Sequence, residues 1–144
     1  MKPTILRIDQ TNAALLAQVD PDVFDEDLRP EALAAFLAQT NHLLVIALAD
    51  ALVVGQVRAI VHHQPDNAPN LYIDNLGVTP AFQRQGIATA LLREAFAWGR
   101  DHGCADAWVA TETDNAPARA LYDGLASEPS SEVAYFVLNI DALG

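Results

Sequence analysis

Apolar side chains come in short runs between turn-forming residues, and the period of the runs changes along the chain. Ile5-Leu6-Arg7-Ile8 alternates like a short strand. Thr11 can cap a short helix reaching about Val19. Pro30 stands at a first helical position, followed by Glu31 and an apolar face of Leu33, Phe36 and Leu37. Leu43–Ala49 and Leu52–Val61 are nearly continuous apolar runs joined at Asp50-Ala51, which predicts a hairpin. A polar loop from His62 to Asn70, with Pro65 and Pro69, leads into a strand over Leu71–Val78. The period then switches. Ile87, Leu91, Ala95 and Trp98 share one helical face, which predicts a long helix from about Arg84 to Asp101, ended by His102-Gly103. A strand over Ala107–Thr111, a helix after Asn115 and a last strand over Glu132–Ile140 complete the reading.

This order places hairpin strands first and a strand–helix–strand–helix–strand series after them. It predicts an α/β fold with a mixed, mostly antiparallel sheet flanked by about four helices. A helical crossover from Leu71–Val78 to Ala107–Thr111 makes those two strands a parallel pair. No repeat, low-complexity tract or linker divides the chain, so residues 1–144 are expected to form a single domain.

Composition narrows the function classes. About half of the residues, 51%, are hydrophobic, which suits a globular core and not a disordered chain. No apolar run has the length of a membrane span, so no membrane partner is expected. The opening Met1-Lys2-Pro3-Thr4 lacks the features of a signal peptide, and Cys104, the only cysteine, cannot form an internal disulfide. These observations favour a cytoplasmic protein. The net charge of −11 argues against nucleic acid, whose phosphates it would repel, and suits a cationic small molecule or basic peptide. Solubility alone also accounts for an acidic surface.

Candidate chemistry centres on Gln83-Arg84-Gln85-Gly86-Ile87-Ala88, between the Leu71–Val78 strand and the long helix. A helix start offers unpaired backbone N–H groups and the positive end of the helix dipole. Gly86 and Ala88 are small enough to let a phosphate oxygen approach the backbone. Two readings fit the hexapeptide: a cradle for a pyrophosphate, or an ordinary strand-to-helix turn whose glycine eases the bend. Other chemistries find no support. His62 and His63 are adjacent, so on a strand they face opposite ways and make a poor metal pair; no metal is expected. Neither a Walker loop nor a Gly-x-Ser-x-Gly element is present.

The hexapeptide resembles motif A of the GNAT N-acetyltransferase superfamily, in which Gln/Arg-x-x-Gly-x-Gly/Ala follows a central strand; Gln83, Gly86 and Ala88 take its defining places. Downstream, Asn115-Ala116-Pro117-Ala118-Arg119-Ala120-Leu121-Tyr122 is similar to the family's motif B. The resemblance covers roughly residues 43 to 140. It implies a GNAT fold, with the parallel strand pair splayed around the cofactor at a bulge, and acetyl-CoA as the cofactor. It also allows a homodimer, which no residue specifies.

The resemblance supplies a candidate site. Backbone N–H groups from Arg84 and Gln85 through Gly86, Ile87 and Ala88 would hold the pyrophosphate, with Gln83 at the motif's first position and the Thr89 hydroxyl beside them. The edge of Leu76, Gly77 and Val78 would pair with the pantetheine arm, and the N–H of Val78 suits the thioester oxygen. Leu76 and Val78 also read as plain core residues. Asn115 would bond the cofactor arm or cap its helix. Tyr122 would act as general acid toward the leaving thiolate, or stand as a half-buried aromatic. For the general base, Asp74 is the candidate, acting through water, with Glu112 and Glu132 as alternatives. Asp74 and Asn75 are expected on opposite faces of the strand by simple alternation.

Within the superfamily the chain is similar to the aminoglycoside 3-N-acetyltransferases of the gentamicin type, in Tyr72-Ile73 through Leu91, in Ala120-Leu121-Tyr122, in the acidic stretch around Phe24 and in Glu132–Phe136. It departs from them at Asn75, where an acid is expected, and at Ala134-Tyr135. Asp25, Glu112, Asp114 and Glu132 are the candidate carboxylates for a substrate with several ammonium groups. The first reading is therefore an acetyl-CoA-dependent N-acetyltransferase acting on a polycationic amine, an aminoglycoside at its 3-N position. A second is a GNAT enzyme for another amine: a polyamine, an amino-acid derivative, or a protein N-terminus or lysine. A third is a catalytically silent acetyl-CoA-binding module.

Overall fold

A computed structural model describes residues 2–144. They fall into two compact units, the first ending at Val109 and the second running from Ala110 to Gly144. The first unit holds a five-stranded sheet in sequential order: β1 (Thr4–Ile8), β2 (His42–Ala49), β3 (Leu52–His62), β4 (Asn70–Val78) and β5 (Ala107–Trp108). All neighbours are antiparallel except β4 and β5, which are parallel and paired only through Leu71↔Ala107 and Tyr72↔Trp108. The β2–β3 hairpin turns at Asp50, which takes a left-handed φ of 54°.

Each face of the sheet is covered. Helix α2 (Ile87–Asp101) lies on one face, burying Ile87, Leu91, Leu92, Ala95 and Trp98. It meets odd-numbered strand positions: a Cβ at Gly55 would touch Leu91 at 3.4 Å, and one at Gly99 would touch Leu71 at 3.0 Å. On the other face Ile8, Leu16, Val23, Leu44, Ile46 and Val53 form a second core cluster, with Phe24, Leu33 and Phe36 against it; Leu33 and Phe36 belong to helix α1 (Pro30–Leu37). Burying apolar area on both faces explains why β2 and β3 read as continuous apolar runs and not as alternating strands.

Helix α2 starts at Ile87 and not at Arg84, because Arg84 and Gly86 have φ of 62° and 81°. Its other end matches the sequence signal, with Gly103 at φ 86° and the Cys104 N–H donating to the Gly99 carbonyl at 2.9 Å. Thr11 does not cap a helix. Its N–H and hydroxyl both donate to Asp9 Oδ1, and only a 3₁₀ turn, Ala13–Ala17, follows. The described residues thus contain three α-helices where about four were expected.

The second unit contains α3 (Ala116–Asp123) and a 3₁₀ turn, Ile140–Leu143. The strand expected over Glu132–Ile140 does not form. That segment has no ladder partner among the described residues, and Val133, Tyr135, Phe136, Val137, Leu138 and Ile140 are 75–96% exposed. An extended apolar sequence becomes a strand only when another edge takes up its backbone groups.

Candidate active site

The turn before α2 has the features an anionic ligand requires. No side chain caps the helix, so the N–H groups of its first turn are not taken up by a capping group. Gly86 has a left-handed φ, and a Cβ built on it meets no atom within 4 Å. The space beside this backbone is open, and the dipole of a 15-residue helix points into it. Gln83 is tied in place, its Nε2 donating to the Val78 carbonyl at 2.9 Å. Arg84, Gln85 and Gly86 are exposed, Ala88 and Thr89 half-buried, and Ile87 is turned into the core. These residues fit a pyrophosphate.

Beyond Tyr72, no strand among the described residues pairs with β4 on the side away from β3, because the β5 pairing stops there. Ile73 to Val78 therefore present a free edge, and Leu76, Gly77 and Val78 are only half-buried. An extended amide-bearing arm can take that edge as a missing strand would. Thr79 continues the line inward, its N–H donating to the Val54 carbonyl at 2.9 Å.

The face of β4 opposite α2 departs from simple alternation. Arg58 pairs with Asn75 and Ala59 with Ile73, so Asp74 is the extra residue of a β-bulge. Asp74 and Asn75 consequently share the face opposite α2, where alternation would have separated them. Arg58 Nε lies 3.0 Å from Asp74 Oδ2, although its N–H is not aligned as a hydrogen bond. Asn75 accepts from Gln56 Nε2 at 2.5 Å and donates to Asp25 Oδ2 at 3.2 Å. Gln56 is fully buried and also donates to the Val23 carbonyl at 3.3 Å, while its Oε1 has no partner. Asp25 is thereby held beside the bulge that carries Asp74.

Gln56 and Arg58 are the neighbours of these candidate residues that the sequence did not single out. The available signal was a lone amide and a lone guanidinium inside the apolar run Leu52–Val61, at positions that share a strand face.

The remaining candidates lie in the second unit. The Asn115 side chain caps α3, accepting from the Ala118 N–H at 3.2 Å, which confirms its helix-cap reading. Arg119 Nη1 donates to the Thr113 carbonyl at 3.2 Å and braces the same turn. Tyr122 is half-buried, and desolvation raises its phenol above its ordinary value near 10. Glu112, Asp114 and Glu132 are exposed, with Glu132 in the unpaired extended segment.

Comparison with known proteins bears on the family and the fold. Residues 10–125 match the acetyltransferase (GNAT) family. An aminoglycoside N(6')-acetyltransferase type 1 of Stenotrophomonas maltophilia is 27% identical over 145 residues, covering 96% of this chain and 95% of that protein. The fold superposes on an aminoglycoside acetyltransferase from an uncultured soil metagenomic sample with a TM-score of 0.82, at 23% identity, over 98% of this chain and 100% of that one. It also superposes on the aminoglycoside N-acetyltransferase AAC(6')-Iy in complex with CoA, with a TM-score of 0.75 at 20% identity, over 94% of this chain and 99% of that one. The Stenotrophomonas maltophilia protein and AAC(6')-Iy are of the 6' type, and the likeness to the 3-N, gentamicin-type enzymes drawn from the sequence finds no support.

Proposed function

This chain belongs to the acetyltransferase (GNAT) family, with acetyl-CoA as its cofactor, and on that premise we propose that it acetylates a primary amine of an aminoglycoside. The 6' relatives support the 6'-amine as the acceptor position, with 3-N acetylation as the competing regiochemistry. The observation that carries the substrate class is the bulge in β4. It brings Asp74 onto the face where Asn75 holds Asp25, 3.2 Å from its amide, so two carboxylates adjoin the free edge of the sheet. A polycation gains charge-assisted hydrogen bonds from such a pair.

In this reading the N–H groups from Arg84 to Ala88 bind the pyrophosphate of the cofactor, and the edge of Leu76, Gly77 and Val78 orients its arm. Bound acetyl-CoA supplies an activated acetyl group as a thioester. Asp74, oriented by Arg58, takes the proton of the acceptor ammonium through water, so that nitrogen can attack the carbonyl. Tyr122, at the motif B position, would hold a phenolic proton for a departing thiolate. A phenol raised above 10 by burial is protonated at neutral pH, as an acid must be. Asp25 supplies charge for a further ammonium group, and Glu112, Asp114 and Glu132 are the carboxylates that the sequence offers for the same role.

The chain acts in this reading as a single acetyltransferase domain in the cytoplasm, with no nucleic-acid partner, and confers antibiotic resistance there. No helix among the described residues is long and apolar enough to cross a membrane. A homodimer belongs to the same reading. The apolar side chains of 133–140 are at least 75% exposed, and a second copy would remove them from water.

The deciding experiment is a thiol-release assay with acetyl-CoA against kanamycin, gentamicin, spermidine and a basic peptide, followed by NMR of the product. Turnover with the aminoglycosides and an acetylated 6'-amine is expected. Turnover with spermidine or the peptide alone would replace this reading by a GNAT enzyme for another amine. No thiol release with any acceptor would leave a cofactor-binding module.

A further inference from the structure

Beside the acidic pair, the same sheet face carries an aromatic cleft that none of the steps above uses. The Tyr72 and Trp108 rings stack with centroids 4.1 Å apart and planes 17° from parallel. They wall a cleft of about 460 Å³ with His62, His63 and Asn41 among its other lining residues. That volume falls within the range of small-molecule sites, roughly 300–1,000 Å³. Tyr72 pairs with Ile60 in the β3–β4 ladder, which puts it on the face of Arg58, and it lies two residues before Asp74. Tyr72, and Trp108 paired with it, therefore stand on the face away from α2, two positions along β4 from Asp74.

Its chemistry is selective. Trp108 is 47% exposed although it is a large aromatic, and its indole N–H donates to Asn70 Oδ1 at 3.1 Å, which fixes the ring plane. The other tryptophan, Trp98, is buried in the α2 core. A ring held flat with one face to solvent attracts cations through its quadrupole and packs against flat apolar surfaces. Imidazole nitrogens and the Asn41 side chain add hydrogen-bonding groups at the rim. An amino sugar has both features, a ring with apolar C–H faces and an ammonium group. A chain with a net charge of −11 adds long-range attraction for such a ligand.

We propose that the Tyr72–Trp108 cleft is a subsite for a second ring of the acceptor, the ring that does not react. The inference rests on the aminoglycoside reading and deepens it: the carboxylates anchor the reacting amine and the aromatic cleft selects multi-ring amino sugars over short amines.

The test compares two acceptors, kanamycin and methyl 6-amino-6-deoxyglucoside, which carries the reacting ring alone. Trp108→Ala is expected to raise KM for kanamycin by roughly 3- to 30-fold with kcat nearly unchanged, the scale of a lost cation–aromatic contact. It should leave kcat/KM for the single-ring acceptor within about twofold, and Trp108→Phe should restore most of the kanamycin affinity. A direct readout needs no turnover. Kanamycin titrated into the wild-type protein should change tryptophan emission, and the change should vanish in Trp108→Phe, where only buried Trp98 reports. Unchanged emission on titration, or an unchanged kanamycin KM in a folded Trp108→Ala protein, overturns the subsite while aminoglycoside acetylation stands. If Trp108→Ala does not fold, the titration of wild type against Trp108→Phe decides the matter. A wild-type enzyme that acetylates no aminoglycoside overturns the underlying reading, and that result is seen before any variant is made.

Discussion

Gly77 lies directly beneath the carbonyl oxygen of Val23, so closely that a Cβ on Gly77 would overlap that oxygen. The segment between β1 and α1 is thus laid against β4, and Gln56 holds it there by donating to the same carbonyl at 3.3 Å. This contact sets where Asp25 stands relative to the bulge.

Gly77→Ala is therefore expected to push Val23 and its neighbours outward. The destabilisation should be about 1–3 kcal/mol, the usual scale for overpacking a well-filled site. Urea denaturation measures it. The larger effect should be on KM for the acceptor, because Asp25 loses its seat beside Asn75. A variant with wild-type stability and wild-type KM would show that the strand and loop separate freely.

Gly86 separates backbone strain from steric exclusion. A Cβ there meets nothing, so Gly86→Ala should cost only the left-handed strain, about 1 kcal/mol. Gly86→Glu adds a side chain and a negative charge where a pyrophosphate would sit, and should abolish measurable CoA binding. Calorimetry on both folded variants checks the pair; equal affinities would remove the turn from the cofactor site.

Tyr122→Phe should lower kcat by on the order of 10²–10⁴-fold and leave CoA affinity nearly intact. Desolvation raises the phenol above 10, so the group is neutral in both folded and unfolded states below that pH and contributes no pH dependence to stability there. Above pH 10 the unfolded chain ionises first and stability falls with rising pH until the folded phenol also titrates. Wild-type turnover in Tyr122→Phe would assign the proton to water or another group.

Attraction between an acidic site and a polycationic acceptor is screened by salt, with a Debye length of about 10 Å at 0.1 M. The kcat/KM for an aminoglycoside should fall as ionic strength rises, while CoA affinity should follow a different slope. A salt-independent kcat/KM would argue that the net charge of −11 serves solubility only.

Asp74→Asn removes the base and should reduce kcat by roughly 10²-fold or more. Arg58→Gln leaves the carboxylate but removes its partner at 3.0 Å, and should lower kcat less, with a changed pH profile. A wild-type kcat and pH profile in Asp74→Asn would move the base elsewhere.

Much of this molecule was legible along the chain because its signals are local. The β2–β3 hairpin follows from two apolar runs around Asp50-Ala51. The α2 face follows from a spacing that a 3.6-residue turn imposes on Ile87, Leu91, Ala95 and Trp98, and its end follows from Gly103, which readily takes a left-handed φ. The motif around Gly86 belongs to the same class, since a turn and the helix start after it need only consecutive residues. What depends on distant partners was not legible. Alternation placed Asp74 and Asn75 on opposite faces, and only the register of β3 against β4 shows the extra residue that unites them. Glu132–Ile140 has the composition of a strand, yet no edge among the described residues pairs with it. Thr11 reads as a helix cap until Asp9 claims its N–H and hydroxyl. Gln56 joins Val23 to Asn75 across 33 and 19 residues of chain, a link that exists only once the strands are packed. Local propensity chooses elements within a few residues; pairing register, bulges and buried polar contacts are settled by the packed whole, where an unsatisfied backbone or amide group costs more than any local preference returns.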